Sequence, residues 1–266
     1  MSPFVFNTTP SIVFEAGSSR RFGAIAGKRL GAKVLVVTDP GLRKLGLADP
    51  AIASLEQAGA IVTVFDEVEA DPSRTTLMRA VEAGRAAGVT GVAGFGGGSS
   101  LDVAKLAALL LGSGEDLDEA WGVAQAKGPR LPLALVPTTA GTGSEVTPVS
   151  IITVGEEEKR GVSSPVILPD VAVLDAELTL GLPAAITAAT GVDAMVHAIE
   201  AYASKNANNN PLSKMLARQA LRLLGANIET AVFNGRDVEA RGAMLLGSML
   251  AGQAFANSPV AAVHAL

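Results

Sequence analysis

The sequence predicts an α/β domain with a mostly parallel sheet, followed by an all-α domain. Over the first two-thirds of the 266 residues, short runs rich in β-branched residues alternate with amphipathic stretches, an alternation typical of βαβ units. After Leu182-Pro183 no such run recurs, and Ala, Leu and Met follow a helical spacing. We therefore expect a boundary near residues 179–183, with the α/β domain over residues 1–181 and the helical domain over residues 182–266.

Each element is predicted from its own pattern. Apolar, β-branched runs predict strands at residues 33–38, 60–65, 91–94 and 133–137. Amphipathic stretches between them predict helices at residues 41–47, 51–58, 75–87 and 100–111, long enough for right-handed crossovers. Helical periodicity in the last third predicts helices near residues 183–204, 211–227 and 238–256.

Composition excludes several classes of protein. A hydrophobic share of 48% with a net charge of −5 is too apolar for a disordered chain. The absence of cysteine excludes disulfides, thiolate metal clusters and a cysteine nucleophile, and it fits a reducing cytoplasm. The acidic balance gives no reason to bind nucleic acid, and no apolar run approaches the roughly 18 residues of a membrane span. We expect a soluble, cytoplasmic protein.

A glycine-rich segment at residues 94–105 (GFGGGSSLDVAK) follows one predicted strand and opens a predicted helix. Consecutive glycines let the backbone approach a ligand closely, and the free N–H groups of Gly98 and Ser99 at a helix start favour an anion such as a pyrophosphate. The pattern matches neither G-x-G-x-x-G nor the P-loop. The alternative is an ordinary strand-to-helix turn, in which Asp102 and Lys105 belong to the start pattern of the helix.

A hydroxyl-rich segment at residues 137–148 (PTTAGTGSEVTP) follows another predicted strand. Its hydroxyls suit hydrogen bonds to ribose and phosphate oxygens, whereas the alternative is a capped surface loop. Open α/β sheets bind ligands at the carboxyl ends of their strands, so two such segments together favour a nucleotide. The hydroxyl side chains are those of Thr138, Thr139, Thr142, Ser144 and Thr147.

Asp39 follows the predicted strand KVLVVT. A carboxylate at this position can accept hydrogen bonds from an adenosine ribose, and it would repel the 2′-phosphate of NADP. Asp39-Pro40-Gly41 also has the composition of a plain turn. The residues alone leave both interpretations open.

Asp193 and His197 lie four residues apart in GVDAMVHAIEAY, residues 191–202, and so project from one face of a predicted helix. Carboxylate oxygen and imidazole nitrogen together suit Fe²⁺, Zn²⁺ or Mn²⁺. A local hydrogen bond, or a histidine satisfied in the core, is the alternative. The other of the two histidines, His264, ends a further helical pattern.

With these segments in this order, the sequence resembles the iron-containing (group III) alcohol dehydrogenase family. The resemblance extends over essentially the whole chain and includes SIVFEAG, expected as a strand pair, and PDVAVLDAELT. It implies a Rossmann-like, dehydroquinate synthase-like fold, NAD, Fe²⁺ with Zn²⁺ as a possible alternative, and a homodimer or larger homo-oligomer. The implied reaction is reversible metal-assisted hydride transfer between an alcohol and NAD, which gives an aldehyde or ketone.

The resemblance also implies roles for individual residues. Those around the dinucleotide pyrophosphate and ribose would be Gly97, Gly98, Ser99 and Asp102. Those along the cofactor groove would be Thr138, Thr139, Thr142 and Ser144, with Lys159 near a cofactor ribose and Asp39 at the adenosine end. The catalytic metal ligands would be Asp193, His197 and His264.

The family has a fourth metal ligand, a histidine downstream of the third, and this sequence offers no residue to match it. We expect a truncated sequence, because an end at His264-Ala-Leu would leave apolar surface exposed, and we expect weak metal binding by these 266 residues. An ion held by three protein ligands and water, or a relative that binds nucleotide without catalysis, are the other interpretations. A polyol or hydroxyacid dehydrogenase of the same superfamily is the alternative enzyme.

Overall fold

A computed structural model describes residues 3–155 and 158–259. In these residues the strands are β1 (Ser11–Phe14), β2 (Lys33–Val37), β3 (Ile61–Phe65), β4 (Gly91–Gly96), β5 (Gly122–Val123), β6 (Leu133–Pro137), β7 (Val149–Val154), β8 (Glu158–Ser163) and β9 (Val171–Leu174). The α-helices are α1 (Lys28–Leu30), α2 (Pro40–Lys44), α3 (Asp49–Gln57), α4 (Arg74–Ala87), α5 (Gly98–Ser113), α6 (Leu117–Ala120), α7 (Ala184–Ala203), α8 (Pro211–Phe233) and α9 (Val238–Asn257).

A parallel sheet with strand order β1-β9-β6-β4-β2-β3 forms the centre of the first part of the chain. Successive residues of β2 point to opposite faces, so Leu35 packs in one apolar cluster and Val34 in another. Helices cover both faces, which is why the central strands read as continuous apolar runs. A smaller sheet, β5-β8-β7, in which β7 and β8 are antiparallel, lies beside α5.

The last part of the chain is a packed group of three helices, α7, α8 and α9. Small residues let their backbones approach closely: a Cβ on Gly247 of α9 would lie 2.8 Å from Leu224 Cγ of α8. The alanine-rich sequence of this region therefore builds a tightly packed core. Helix α9 also touches the α/β part, because Gly252 lies against Gly143.

The structure confirms the predicted strands and helices, with changes of a few residues at their ends. The strand pair expected around SIVFEAG is wrong, because that segment forms the single strand β1, whose partner is the distant β9. Strands β5, β7, β8 and β9 had no prediction. Strand β8 begins with the charged residues Glu158, Lys159 and Arg160, so its pattern does not predict a strand, yet it pairs antiparallel with β7.

Candidate cofactor and metal site

Three predicted site segments lie at the carboxyl ends of three neighbouring strands. Asp39 comes two residues after β2, the glycine-rich segment continues from β4, and the hydroxyl-rich segment continues from β6. Strand β4 lies between β2 and β6. The chain leaves β2 toward β3 on one side and leaves β4 toward β6 on the other. The gap between β2 and β4 is therefore a topological switch point, where open α/β sheets bind ligands.

The glycine-rich segment forms an uncapped helix start at this edge. Gly97 is the N-cap of α5, and no side chain caps the helix. Gly97, Gly98 and Ser99 are half-exposed. The N–H groups of the first turn, together with the helix dipole, provide positive potential for a negatively charged group. Gly96 has φ +153°, and a Cβ there would lie 2.7 Å from Ser100 Oγ, so the strand-to-helix turn requires glycine.

The hydroxyl-rich segment lies directly against this helix start. A Cβ on Gly98 would come within 2.9 Å of Thr142 Cγ2, and one on Gly97 would lie 3.6 Å from Thr139 Cγ2. The buried Thr138 donates its backbone N–H to Gly96 O at 2.9 Å, which fixes the two segments relative to each other. Thr139 and Thr142 thus lie beside the N-terminus of α5, where Thr142 is exposed.

Asp102 and Ser144 bind each other. Asp102 Oδ1 accepts a hydrogen bond from Ser144 Oγ at 2.7 Å, and its Oδ2 accepts one from the Ile151 N–H at 2.9 Å. The Asp102 side chain keeps 16% of its surface exposed, so it remains partly accessible despite these internal hydrogen bonds. A contact of either residue with a cofactor stays a prediction.

A buried cluster of charged groups, formed by Asp102, Lys105 and Glu145, lies beneath the two segments. The sequence pattern assigns Lys105 only to the start of the helix and assigns no role to Glu145. Burial lowers the pKa of Lys105 to about 8 and raises the pKa of Glu145 to about 7. Burial also raises the pKa of Asp102, against the opposing pull of Lys105. The sequence does contain a signal for the burial of Lys105, because this lysine is surrounded by apolar residues in LDVAKLAALLL, residues 101–111. The structure shows that most of this helix is buried.

Asp39 and Lys159 have partners of their own. Asp39 Oδ1 accepts from the Leu42 N–H at 3.0 Å and caps α2. The tripeptide is therefore a helix start and not the plain turn of the alternative interpretation, and one of the two carboxylate oxygens of Asp39 forms the cap. Lys159 on β8 forms an exposed ion pair with Asp71, at 2.6 Å between Nζ and Oδ1. Asp71 follows β3, so Lys159 also lies near the carboxyl edge of the sheet.

Asp193 and His197 project together from α7, with 3.8 Å between Asp193 Oδ2 and His197 Nδ1. The imidazole stacks on the ring of Phe255 from α9, at 4.5 Å between ring centroids. His264 lies outside the described residues. Within residues 3–155 and 158–259, no group of three potential metal ligands forms. An oxygen and a nitrogen donor on one helix face are a chemically suitable part of a site for Fe²⁺ or Zn²⁺.

An uncapped helix start at a switch point, with a carboxylate–imidazole pair on a nearby helix, is compatible with a nucleotide-dependent enzyme. Sequence models of known families agree. The model described as "Iron-containing alcohol dehydrogenase" matches residues 9–176, and the model "Fe-containing alcohol dehydrogenase family, C-terminal" matches residues 187–266. The chain belongs to the iron-containing alcohol dehydrogenase family, and its relatives include a protein named NAD-dependent methanol dehydrogenase, of Bacillus methanolicus.

Individual relatives support this membership. The chain is 47% identical over 243 residues to long-chain-alcohol dehydrogenase 1 of Geobacillus thermodenitrificans, covering 90% of this chain and 61% of that protein. It is 39% identical to sulfoacetaldehyde reductase of Bilophila wadsworthia, covering 99% of this chain and 68% of that protein. The solved structure of a 1,3-propanediol oxidoreductase superimposes with a TM-score of 0.94 at 37% identity, covering 99% and 69% of the two chains. The chain thus spans about two thirds of the length of its relatives.

Proposed function

We propose that this chain binds NAD across the switch-point crevice and transfers hydride between the cofactor and an alcohol. One observation carries the proposal: the uncapped start of α5 and the hydroxyls of Thr139 and Thr142 lie together at the carboxyl edge of the sheet. The helix start suits the pyrophosphate and the hydroxyls suit ribose oxygens. A solved relative, the sulfoacetaldehyde reductase of Bifidobacterium kashiwanohense, is in complex with NAD⁺ and superimposes with a TM-score of 0.90 at 31% identity.

The remaining predicted cofactor contacts belong to the same proposal. Asp39 would accept a hydrogen bond from the adenosine ribose with the carboxylate oxygen that does not cap α2, and would disfavour NADP. Lys159 would reach a cofactor ribose from β8 after exchanging its exposed partner Asp71. Exposed ion pairs contribute little to stability, so that exchange has a small cost.

Asp193 and His197 would hold a divalent ion, Fe²⁺ or Zn²⁺, together with His264. The stacked Phe255 ring keeps the imidazole in one plane, and a fixed ring orientation favours metal binding. When bound, such an ion polarises an alcohol oxygen as a Lewis acid. The task of the protein is then to orient the alcohol carbon toward the cofactor and to exclude water.

We also propose a division into a cofactor domain, residues 1–181, and a helical domain, residues 182–266. The limits of the two family matches and the start of α7 at Ala184 support it. A homodimer or larger homo-oligomer and a cytoplasmic location complete the proposal. Among the described residues, no helix is both long enough and apolar enough to cross a membrane.

The substrate is a small alcohol or aldehyde in this proposal. The names of relatives include a methanol dehydrogenase, a choline dehydrogenase and a 1,3-propanediol oxidoreductase, so a diol, polyol or hydroxyacid stays the alternative to a simple alcohol. A panel of these compounds with NAD⁺, assayed at 340 nm under anaerobic conditions with Fe²⁺ or Zn²⁺, distinguishes them.

The same assay tests the reaction itself. We expect alcohol-dependent NADH formation that Asp193→Ala abolishes, while NADH binding persists in that variant. Glu229→Gln, which changes an exposed carboxylate of α8, is the control for loss of a charge. NADH binding without turnover on any compound or metal would identify a non-catalytic nucleotide-binding relative, and absence of NADH binding would refute the cofactor proposal.

A further inference from the structure

Lys105 is a fully buried cation two turns into α5, beneath the candidate cofactor segments. Its ammonium Nζ donates to Ser144 Oγ at 2.7 Å, to Thr147 Oγ1 at 3.2 Å and to Val149 O at 2.7 Å. These acceptors belong to the hydroxyl-rich segment and to the first residue of β7. All three donor positions of the ammonium are therefore used to join α5 to one continuous stretch of chain.

Carboxylates face the ammonium from two elements. Asp102 Oδ1, on α5, lies 3.7 Å from Lys105 Nζ and also accepts from Ser144 Oγ. Glu145, on the short 3₁₀ helix at Ser144–Val146, attracts it from the hydroxyl-rich segment. Lys105 thus faces acidic groups on both α5 and the hydroxyl-rich segment.

The second buried cation of the described residues, Arg241, forms a useful contrast. Its guanidinium donates to Thr187 Oγ1 at 2.6 Å and to the carbonyls of Gly235 and Leu182. It joins α9 to the start of α7, and each of these partners lies outside the two cofactor segments. Arg241 is thus a buried cation with a role in the helical region.

We propose that Lys105 is a positioning residue for the cofactor, which sets the distance between the helix start at Gly98 and the hydroxyls of the residue 137–148 segment. A Cβ on Gly98 would lie only 2.9 Å from Thr142 Cγ2, so the two segments are close and a small shift of either changes the space for a pyrophosphate. Lys105 acts through Ser144 and Thr147 and does not touch the cofactor. The inference rests on the proposed function, since it assigns a positioning group to the same site.

Lys105→Met tests the inference, because methionine has nearly the same shape and lacks the charge. We expect the Kd for NADH, measured by fluorescence titration without metal, to rise about tenfold, equivalent to about 1.4 kcal/mol. ADP-ribose, titrated by calorimetry, should weaken by the same factor because it carries the same pyrophosphate. The variant should still bind one NADH per chain. If Lys105 had a merely structural role, a smaller fraction of the protein molecules would bind NADH, and those that bind would keep the wild-type Kd.

Two further variants make the outcome decisive. Thr147→Val removes one buried acceptor of Lys105 and should weaken NADH about threefold, as expected for loss of one hydrogen bond; it provides the answer if Lys105→Met does not fold. Arg241→Met is the control for loss of a buried cation and should lower thermal stability with the Kd within twofold of wild type.

The outcomes separate the two proposals. If wild type does not bind NADH, the proposed function fails. If wild type binds NADH and both Lys105→Met and Thr147→Val bind with unchanged Kd, the positioning role is wrong and the proposed function stands. A rise in Kd as large in Arg241→Met as in Lys105→Met would likewise overturn the positioning role.

Discussion

We expect Glu145→Gln to have a higher unfolding free energy than wild type at neutral pH, and we expect this difference to be smaller in acid. Glu145 is 2% exposed, and its Oε1 is buried without a hydrogen-bond partner in the structure. Removal from water disfavours the charged carboxylate, which raises the pKa of Glu145 from 4.5 to about 7 despite the attraction of Lys105. Glutamine has the shape of the protonated acid and does not ionise.

The sign and size of the effect follow from linkage. The folded-state pKa of Glu145 lies above its unfolded value, so between about pH 4.5 and pH 7 the folded chain retains a proton that the unfolded chain releases. Its contribution to stability is present below that window and is lost as the pH rises through it. A tenfold change in proton affinity corresponds to 1.36 kcal/mol, so the loss amounts to about 3 kcal/mol.

Urea unfolding of wild type and Glu145→Gln, at steps between pH 4.5 and pH 7.5, measures this loss. We expect the difference in unfolding free energy to grow in favour of the variant by about 3 kcal/mol across the range. Any constant offset from the amide cancels in that comparison. Glu229→Gln is the control, because substitutions at exposed sites usually change stability by less than about 0.5 kcal/mol. A Glu145→Gln difference that stays flat with pH would show that this carboxylate is solvated or paired in the folded chain.

Three further substitutions test other parts of the structure. Gly98→Ala should weaken NADH binding measured by fluorescence titration, because its Cβ would lie 2.9 Å from Thr142 Cγ2; unchanged affinity would contradict the close contact of the two segments. Asp39→Gly should raise kcat/KM for NADP relative to NAD, since glycine is still tolerated as an N-cap; an unchanged ratio would place Asp39 away from the ribose. Asp175→Asn should lower the unfolding free energy by about 3 kcal/mol in urea titration, because the buried carboxylate accepts from Gly17, Ser19 and Glu177; a loss below 0.5 kcal/mol would exclude this role.

Local patterns were sufficient for the central strands and the long helices. The run at β2 is apolar because helices cover both faces of the sheet, and four of its five residues, 34–37, are buried accordingly. Strand β1 shows the limit of such reasoning. Its apolar run predicts a strand, but its parallel partner β9 is separated from it by most of the α/β region. No feature of Ser11–Phe14 encodes that distant partner, so the local pair expected there was wrong.

The candidate site likewise has features that the sequence reveals and features that only tertiary contacts determine. Glycines and hydroxyls at strand ends are visible in sequence because the chemistry of the ligand selects their residue types. Which hydroxyls remain available for a ligand depends on tertiary contacts, and the sequence could not tell Thr142, which is exposed, from Ser144, which binds Asp102. The prediction for Asp102 and Ser144 treated them as independent cofactor contacts, whereas in the structure they form one hydrogen-bonded unit.

Lys105 connects the Asp102–Ser144 pair to the rest of the buried charged cluster, which also contains Glu145. The side chains of Lys105 and Glu145 are both buried and attract each other, and for Glu145 the attraction of Lys105 offsets the effect of burial only in part. The cofactor segments are thereby joined beneath the crevice by charges and hydrogen bonds in addition to backbone pairing. In the proposed function, segments joined in this way would let a nucleotide bind without first ordering two loops, a step that would otherwise reduce its affinity.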